Sequence, residues 1–166
     1  MLLLISDANI LIDIVKLDLV AAFFQLPHDI QTTDFAFEEL LGDQDVILPH
    51  NGLTIITTPH PEELEEISAL YRQHTGISYP DASVWYYAQK QDGILVTGDG
   101  TLRKKAAASG IEVRGIIFIL DEMKTHNLFS VEHGILKLQQ LLEINPRLPE
   151  DLIQQRITDW TAELNL

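Results

Sequence analysis

Two short apolar runs constrain the fold of this chain more than any other feature of its sequence. One occupies residues 2–5 near the N-terminus, and the other occupies residues 94–96. Continuous apolar runs of this length are typical of strands buried on both faces, as in a parallel sheet covered by helices. Each run is followed closely by an aspartate, Asp7 or Asp99. Parallel sheets collect their functional groups at this end of the strands.

Strand patterns alternate with helical patterns along most of the chain, and no internal repeat or long linker interrupts them. The predicted strands span residues 2–6, 29–32, 53–57, 94–97 and 112–113. The predicted helices span residues 9–15, 19–25, 34–41, 61–74, 80–91, 102–109, 116–125, 130–142 and 149–164, and the first two of these form either one helix or two short ones. This alternation predicts an α/β fold with a largely parallel sheet. The apolar stripe of the last helix favours packing on the domain over an oligomer interface.

Composition limits the class of protein. A length of 166 residues, 46% of them apolar, predicts about one domain with a sizeable core. The absence of cysteine excludes disulfides and thiolate metal sites and fits a cytoplasmic location. The N-terminal apolar stretch ends at Ser6 and is too short for a signal peptide or membrane span.

The net charge of −14 is unusual for a protein that binds nucleic acid, which normally needs a basic face. The only basic cluster is Arg103, Lys104 and Lys105, which follows Asp99 directly. We interpret most of the acids as a solubilising surface. A bound divalent cation would offset part of the charge of the remainder.

Four acidic segments stand at the ends of predicted strands or the starts of predicted helices. They are centred on Asp7, on the pair Glu38 and Glu39, on Asp81 and on Asp99. Each aspartate alone is explained by helix capping or turn formation. Carboxylates gathered at one sheet edge repel one another, however, and oxygen ligands suit Mg²⁺ or Mn²⁺. The set therefore predicts a metal-dependent phosphoryl-transfer enzyme.

The ordered set of acidic segments resembles the PIN-domain ribonucleases, notably the VapC-like toxins of VapBC-type toxin–antitoxin pairs. The matching segments are residues 6–13, 33–41, 81–88 and 95–103. The resemblance spans residues 2 to about 120. It implies a PIN-like central parallel sheet flanked by helices on both faces. It also implies a nuclease domain over residues 1–125, with a C-terminal helical extension over residues 126–166.

The resemblance also implies the site and its chemistry. PIN domains hold Mg²⁺ or Mn²⁺ in an acidic pocket and hydrolyse phosphodiester bonds of RNA. By motif, the catalytic and metal-binding acids are Asp7, Glu39, Asp81 and Asp99. Glu39 is preferred to Glu38 because the glutamate of the family usually precedes a Leu-Leu-like pair. Weaker candidates are Asn9, Glu38, Thr97, Thr101 and Arg103. The implied partners are an RNA substrate, a small antitoxin protein and a second copy of the chain in a homodimer.

Two other classes of protein compete with this interpretation. Haloacid-dehalogenase-like phosphatases also place an aspartate after the first strand. Their pattern needs a second aspartate and then a threonine, where this chain has Asn9 and Leu11. A non-catalytic PIN-like module that acts only through protein contacts agrees with the net charge of −14. The full acidic set argues against it, because clustered carboxylates without a cation cost stability.

Overall fold

The sheet predicted from the sequence is present, and its strand pairs are all parallel. The computed structural model describes residues 1–58 and 60–166, and within them five strands lie in the order β3-β2-β1-β4-β5. The strands span Leu3–Ser6 (β1), Asp29–Thr33 (β2), Leu53–Ile56 (β3), Ile94–Val96 (β4) and Val113–Arg114 (β5). The central strand β1 buries Leu4 and Ile5 completely. The continuous apolar run predicted this burial.

Helices connect the strands and extend beyond the last of them. They span Ala8–Lys16 (α1), Val20–Phe24 (α2), Asp34–Glu38 (α3), Gln44–Ile47 (α4), Pro61–Gln73 (α5), Tyr79–Lys90 (α6), Gly100–Ala108 (α7), Ile116–Thr125 (α8), Val131–Ile144 (α9) and Glu150–Leu164 (α10). The strand order reverses at β1, with β2 and β3 on one side of it and β4 and β5 on the other. Because connections between parallel strands are right-handed, those that lead to the two sides cover opposite faces of the sheet. Accordingly, α6 packs against β1, β2 and β4, whereas α1 and α2 contact α9 and α8.

The helix predicted over residues 34–41 is shorter than its sequence pattern suggests. α3 ends at Glu38, and Leu41 adopts a left-handed backbone with φ of 50°. A left-handed residue ends a helix, and glycine is the usual residue in that conformation, yet the chain turns here at Leu41, one residue before Gly42. Short helical turns, Leu41–Asp43, α4 and Leu48–His50, then fill a segment that carried no predicted element.

The last two helices pack against each other and against α1. Gly134 of α9 lets the Trp160 ring approach closely, since a Cβ there would lie 2.7 Å from that ring. The buried Lys137 ammonium group donates a hydrogen bond of 2.6 Å to the Leu17 carbonyl at the end of α1. These contacts fit a helix pair that packs on the domain. The division at residue 125 and the homodimer remain predictions.

No helix in residues 1–58 or 60–166 combines the length and apolarity that crossing a bilayer would require.

Candidate active site

The carboxyl ends of β1 and β4 meet at the point where the strand order reverses. In open α/β sheets, ligands bind in the crevice outside such a switch point. Asp7 follows β1, and its backbone N–H donates a hydrogen bond of 3.0 Å to the Val96 carbonyl of β4. Asp99 follows β4 after a turn of two residues. The topology therefore brings Asp7 and Asp99, which are distant in sequence, to one crevice.

Asp7 is a buried carboxylate, with 2% of its surface exposed. Its Oδ1 accepts a hydrogen bond of 3.0 Å from the Ile10 backbone N–H and so caps α1. Its Oδ2 accepts a hydrogen bond from the Thr97 hydroxyl. Burial raises the pKa of Asp7 to about 7, although these two hydrogen bonds oppose the rise; the charges of Asp81 and Asp99 add to it. Asp7 therefore bears a negative charge at neutral pH only at a cost in folding free energy.

Thr97 connects the two aspartates of the crevice. Besides donating to Asp7, its fully buried hydroxyl accepts a hydrogen bond of 3.0 Å from the Asp99 backbone N–H. Asp99 in turn caps α7, because its Oδ1 accepts from the Leu102 backbone N–H at 2.8 Å. Thr97 thus contacts the Asp7 carboxylate and the Asp99 backbone, and it links the two segments that carry these aspartates.

Asp81 reaches the same crevice from the first turn of α6. It forms a capping box with Ser78: the Ser78 N–H donates to Asp81 Oδ2 at 3.0 Å, and the Asp81 N–H donates to Ser78 Oγ at 3.1 Å. Burial raises the pKa of Asp81, the Ser78 hydrogen bonds lower it, and the charge of Asp99 raises it further. The coupling of these charges places Asp81 close to Asp99 and Asp7.

Glu38 is the last residue of α3, and Glu39 follows it. Both side chains are exposed in the conformation described. The pKa of Glu39 is raised, first by partial burial and then by the charge of Asp81. Glu39 is therefore close enough to Asp81 for the two charges to interact. A hydrogen bond of 2.7 Å between the Thr33 and Ser83 hydroxyls ties the start of α3 to α6, and this contact positions Glu39 relative to Asp81.

The remaining weaker candidates lie around the crevice with different contacts. Asn9 is exposed and lines a cleft that also contains Asp99. Thr101 is exposed on α7. The Arg103 guanidinium donates a hydrogen bond of 3.1 Å to the Thr97 carbonyl and lies over Gly115, where a Cβ would collide with it. Arg103 thus holds the end of β4 in place.

Asp7 and Asp99 are the N-caps of α1 and α7, Asp81 completes the capping box of α6, and all three contribute charge to the crevice. The N-termini of α1, α6 and α7 meet there, and their partial positive charges offset some of the carboxylate repulsion. Within the described residues, no Lys, Arg or His forms an ion pair with the three aspartates or Glu39. The donor set consists of carboxylate oxygens, which fits Mg²⁺ or Mn²⁺.

One group of potential ligands lies outside this crevice and was missed by the sequence analysis. His28, Glu122 and His126 bring one side-chain ligand atom each within 4.8 Å of one another. It is the only such triplet of His, Asp or Glu in the described part of the chain, so the crevice carboxylates are more widely spaced. Only the spacing of Glu122 and His126, one helical turn apart, signalled it in the sequence.

The hydrogen bonds of His28 argue against a metal at this group. Its Nδ1 accepts a hydrogen bond of 3.2 Å from the Leu2 backbone N–H, so Nε2 carries the proton. Nε2 then donates to Glu122 Oε2 at 2.7 Å, which leaves no lone pair for a metal. We interpret the group as a hydrogen-bonded clamp between α8 and the start of β2.

We predict that His28→Ala lowers the free energy of unfolding by about 1–3 kcal/mol, because Glu122 and the Leu2 N–H lose their partner. Urea titration followed by circular dichroism measures the loss. The exposed His133→Ala is the matched control and should change little. A rise in melting temperature on adding Zn²⁺ that disappears in His126→Ala would instead identify a metal centre.

The cleft residues Asn145 and Arg147 were also missed, because they lie far in sequence from every acidic motif. They line the cleft beside Asp99 together with residues of α1. No local signal in the sequence brings the turn between α9 and α10 to this edge of the sheet. Their approach depends on the packing of the last two helices.

Comparison with known proteins gives a family and a fold. A family model described as "DUF3368: PIN domain" matches residues 3–162. None of the curated proteins matches the chain.

Three solved structures are similar at low sequence identity, which establishes likeness of fold alone. A PilT N-terminus domain protein, SSO1118 from the archaeon Sulfolobus solfataricus P2, has a TM-score of 0.52 and 11% identity over 74% of this chain and 93% of that chain. PAE2754 from Pyrobaculum aerophilum has a TM-score of 0.55 and 16% identity over 75% and 90%. A toxin–antitoxin complex from Klebsiella pneumoniae has a TM-score of 0.50 and 22% identity over 66% and 93%.

Proposed function

The chain belongs to the PIN-domain family, and on that premise we propose that it is a metal-dependent endoribonuclease that hydrolyses phosphodiester bonds of RNA. The observation that carries the proposal is the buried carboxylate of Asp7. Its pKa is raised to about 7, and the charges of Asp81 and Asp99 contribute to the rise. An aspartate that served only as a helix cap would gain no stability from two further carboxylates nearby, because their charges repel its own. A divalent cation held among the three side chains would remove the electrostatic cost.

The roles of the acids follow from their positions. Asp7, Asp81 and Asp99 would hold one or more Mg²⁺ or Mn²⁺ ions, and Glu39 would orient a water molecule or a second ion from the margin of the crevice. When bound, the metal would polarise the phosphate and lower the pKa of the attacking water. Thr97 links Asp7 to Asp99 through its two hydrogen bonds and so would help to keep them at a fixed separation. Burial of Asp7 excludes solvent from the base of the site.

The biological role in the proposal is that of a toxin in a toxin–antitoxin pair. A solved toxin–antitoxin complex from Klebsiella pneumoniae shares the fold, and this likeness supports the proposal. In this role a small antitoxin protein would cover the acidic crevice and block RNA. The proposal includes a cytoplasmic location and a homodimer.

The test is RNA cleavage as a function of Mn²⁺ concentration, on a panel of structured and single-stranded RNAs. We expect cleavage that rises with Mn²⁺ and stops with EDTA. Mn²⁺ should also raise the melting temperature in a concentration-dependent way, because it binds the folded state. If folded protein shows neither cleavage nor stabilisation by Mn²⁺, the proposal is wrong and a non-catalytic partner-binding module becomes the better interpretation.

A further inference from the structure

A cleft of about 570 Å³ opens beside Asp99, and none of the roles proposed above uses it. Its volume is within the usual range for ligand sites, roughly 300–1,000 Å³. Three separate parts of the chain form its walls. They are the exposed side of α1 with Asn9 and Lys16, the turn around Asp99, and residues 144–147 between α9 and α10. The last of these belongs to the predicted C-terminal extension.

The turn between α9 and α10 is held against α1 by specific contacts. Asn145 Nδ2 donates a hydrogen bond of 3.0 Å to Oδ2 of the buried Asp13 on α1. Asn145 Oδ1 accepts a hydrogen bond of 3.3 Å from the Arg147 backbone N–H. Leu148 approaches Gly98, where a Cβ would lie 3.9 Å from its side chain. The wall is therefore a fixed surface that keeps Arg147 beside the acidic crevice.

The cations of the chain are mostly engaged elsewhere. Of the eleven Lys and Arg residues, five form ion pairs with carboxylates: Arg72, Lys90, Arg114, Lys124 and Arg156. Three others donate to backbone carbonyls: Arg103, Lys105 and Lys137. Among the residues described, the side chains of Lys16, Lys104 and Arg147 have no such partner. Two of these three line the same cleft.

The acids that line the cleft offset its two cations only in part. Asp13 is 6% exposed and its Oδ2 is bonded to Asn145. The charge of Lys16 lowers the pKa of Asp13 against the larger effect of burial, so Asp13 partly neutralises Lys16. Asp99 is committed to the acidic crevice under the proposed function. In a chain of net charge −14, Arg147 is thus the main source of positive charge in this cleft, with Lys16 contributing less.

We propose that this cleft binds the phosphate backbone of the RNA strand beside the cleaved bond, with Lys16 and Arg147 contacting its phosphate oxygens. Arg suits this role because its planar guanidinium can bond two phosphate oxygens at once. Asn145 is a positioning residue that acts through the turn carrying Arg147. The inference rests on the proposed function for its substrate, but its test does not depend on cleavage.

The test measures binding of a fluorescein-labelled single-stranded RNA by anisotropy, with Mg²⁺ present and over a series of KCl concentrations. Asp7→Asn protein serves as the background so that the RNA is not cleaved. Adding Arg147→Ala or Lys16→Ala should raise Kd roughly tenfold and lower the salt slope by about 0.7 for each lost phosphate contact. Lys90→Gln, at the far end of α6 from Asp81, removes an equal charge and should leave Kd unchanged.

A second measurement separates this inference from the proposed function. In the active protein, Arg147→Ala should raise KM about tenfold and leave kcat within about twofold, while Arg147→Lys should recover much of the loss. Wild-type Kd and salt slope in both Arg147→Ala and Lys16→Ala would overturn the inference, even if the wild type cleaves RNA. Weakened binding in both variants would support it, even if no cleavage is found.

Discussion

Asp7→Asn is expected to lower the rate of Mn²⁺-dependent RNA cleavage by roughly 10³-fold while the protein stays folded. Asn keeps an oxygen that can accept from the Ile10 N–H, so the cap of α1 survives. The charge that would hold the metal is lost. The measurement is single-turnover cleavage of a labelled RNA, with the far-ultraviolet circular dichroism of both proteins compared.

The matched control for this variant is Asp121→Asn. Asp121 lies on α8, and burial raises its pKa while the charge of Arg156 lowers it. Like Asp7, Asp121 is an aspartate whose pKa is raised by burial, although it is buried less deeply, and it has no place in the proposed site, so the cleavage rate of Asp121→Asn should equal that of the wild type. Asp99→Asn should lower the cleavage rate by about as much as Asp7→Asn does. Wild-type cleavage by both crevice variants would show that the nuclease site lies elsewhere.

The metal-free protein is expected to lose stability as the pH rises from about 4 to 7. The pKa of Asp7 is about 7 in the folded protein and 3.8 when unperturbed. Between these values the folded state keeps a proton that the unfolded state has released, so the free energy of unfolding falls with rising pH. At about 1.4 kcal/mol per pKa unit, the fall is on the order of 4 kcal/mol, or about 10 °C in melting temperature. Asp81 and Glu39 shift in the same direction and add to it.

Thermal melts in EDTA across this pH range measure the effect, and the same melts in Mn²⁺ give the comparison. Mn²⁺ should restore most of the stability at neutral pH, because the cation favours the charged carboxylates. The melting temperature of Asp7→Asn should vary less with pH in EDTA, and it should rise only slightly on addition of Mn²⁺. A wild-type melting temperature that is constant between pH 4 and 7 in EDTA would show that Asp7 is not strained by burial.

Much of the fold could be predicted because its strands carry local signals. The apolar runs at residues 2–5 and 94–96 coincide with the two central strands. The stop of α3 could not be predicted in the same way. Leu41 takes a left-handed backbone that a Leu seldom adopts, and Gly42 beside it carried the stronger local signal. The Gln44 amide donates a hydrogen bond of 2.9 Å to the Phe37 carbonyl, and no local signal predicts this contact between the following turn and α3.

The acidic residues could be found from the sequence, but their geometry could not. Asp7, Asp81 and Asp99 each follow a recognisable element boundary, whereas the preference for Glu39 over Glu38 depended on a motif. That preference stays a prediction. The contributions of Asn145 and Arg147 depend on long-range packing of α9 and α10 against α1. No periodicity or capping rule reports such contacts.

Asp7 and Asp99 serve both as N-caps and as carboxylates of the crevice, and this has a consequence for how the protein can change over evolution. Asn and Ser cap helices about as well as Asp, so substitution at Asp7 or Asp99 need not disturb α1 or α7. Loss of the charge would even relieve repulsion in the crevice. Under the proposed function, folding does not require the charges of this acidic set, and only selection for the reaction would keep them. Descendants of such a chain can thus lose activity in one step and persist as stable binding proteins.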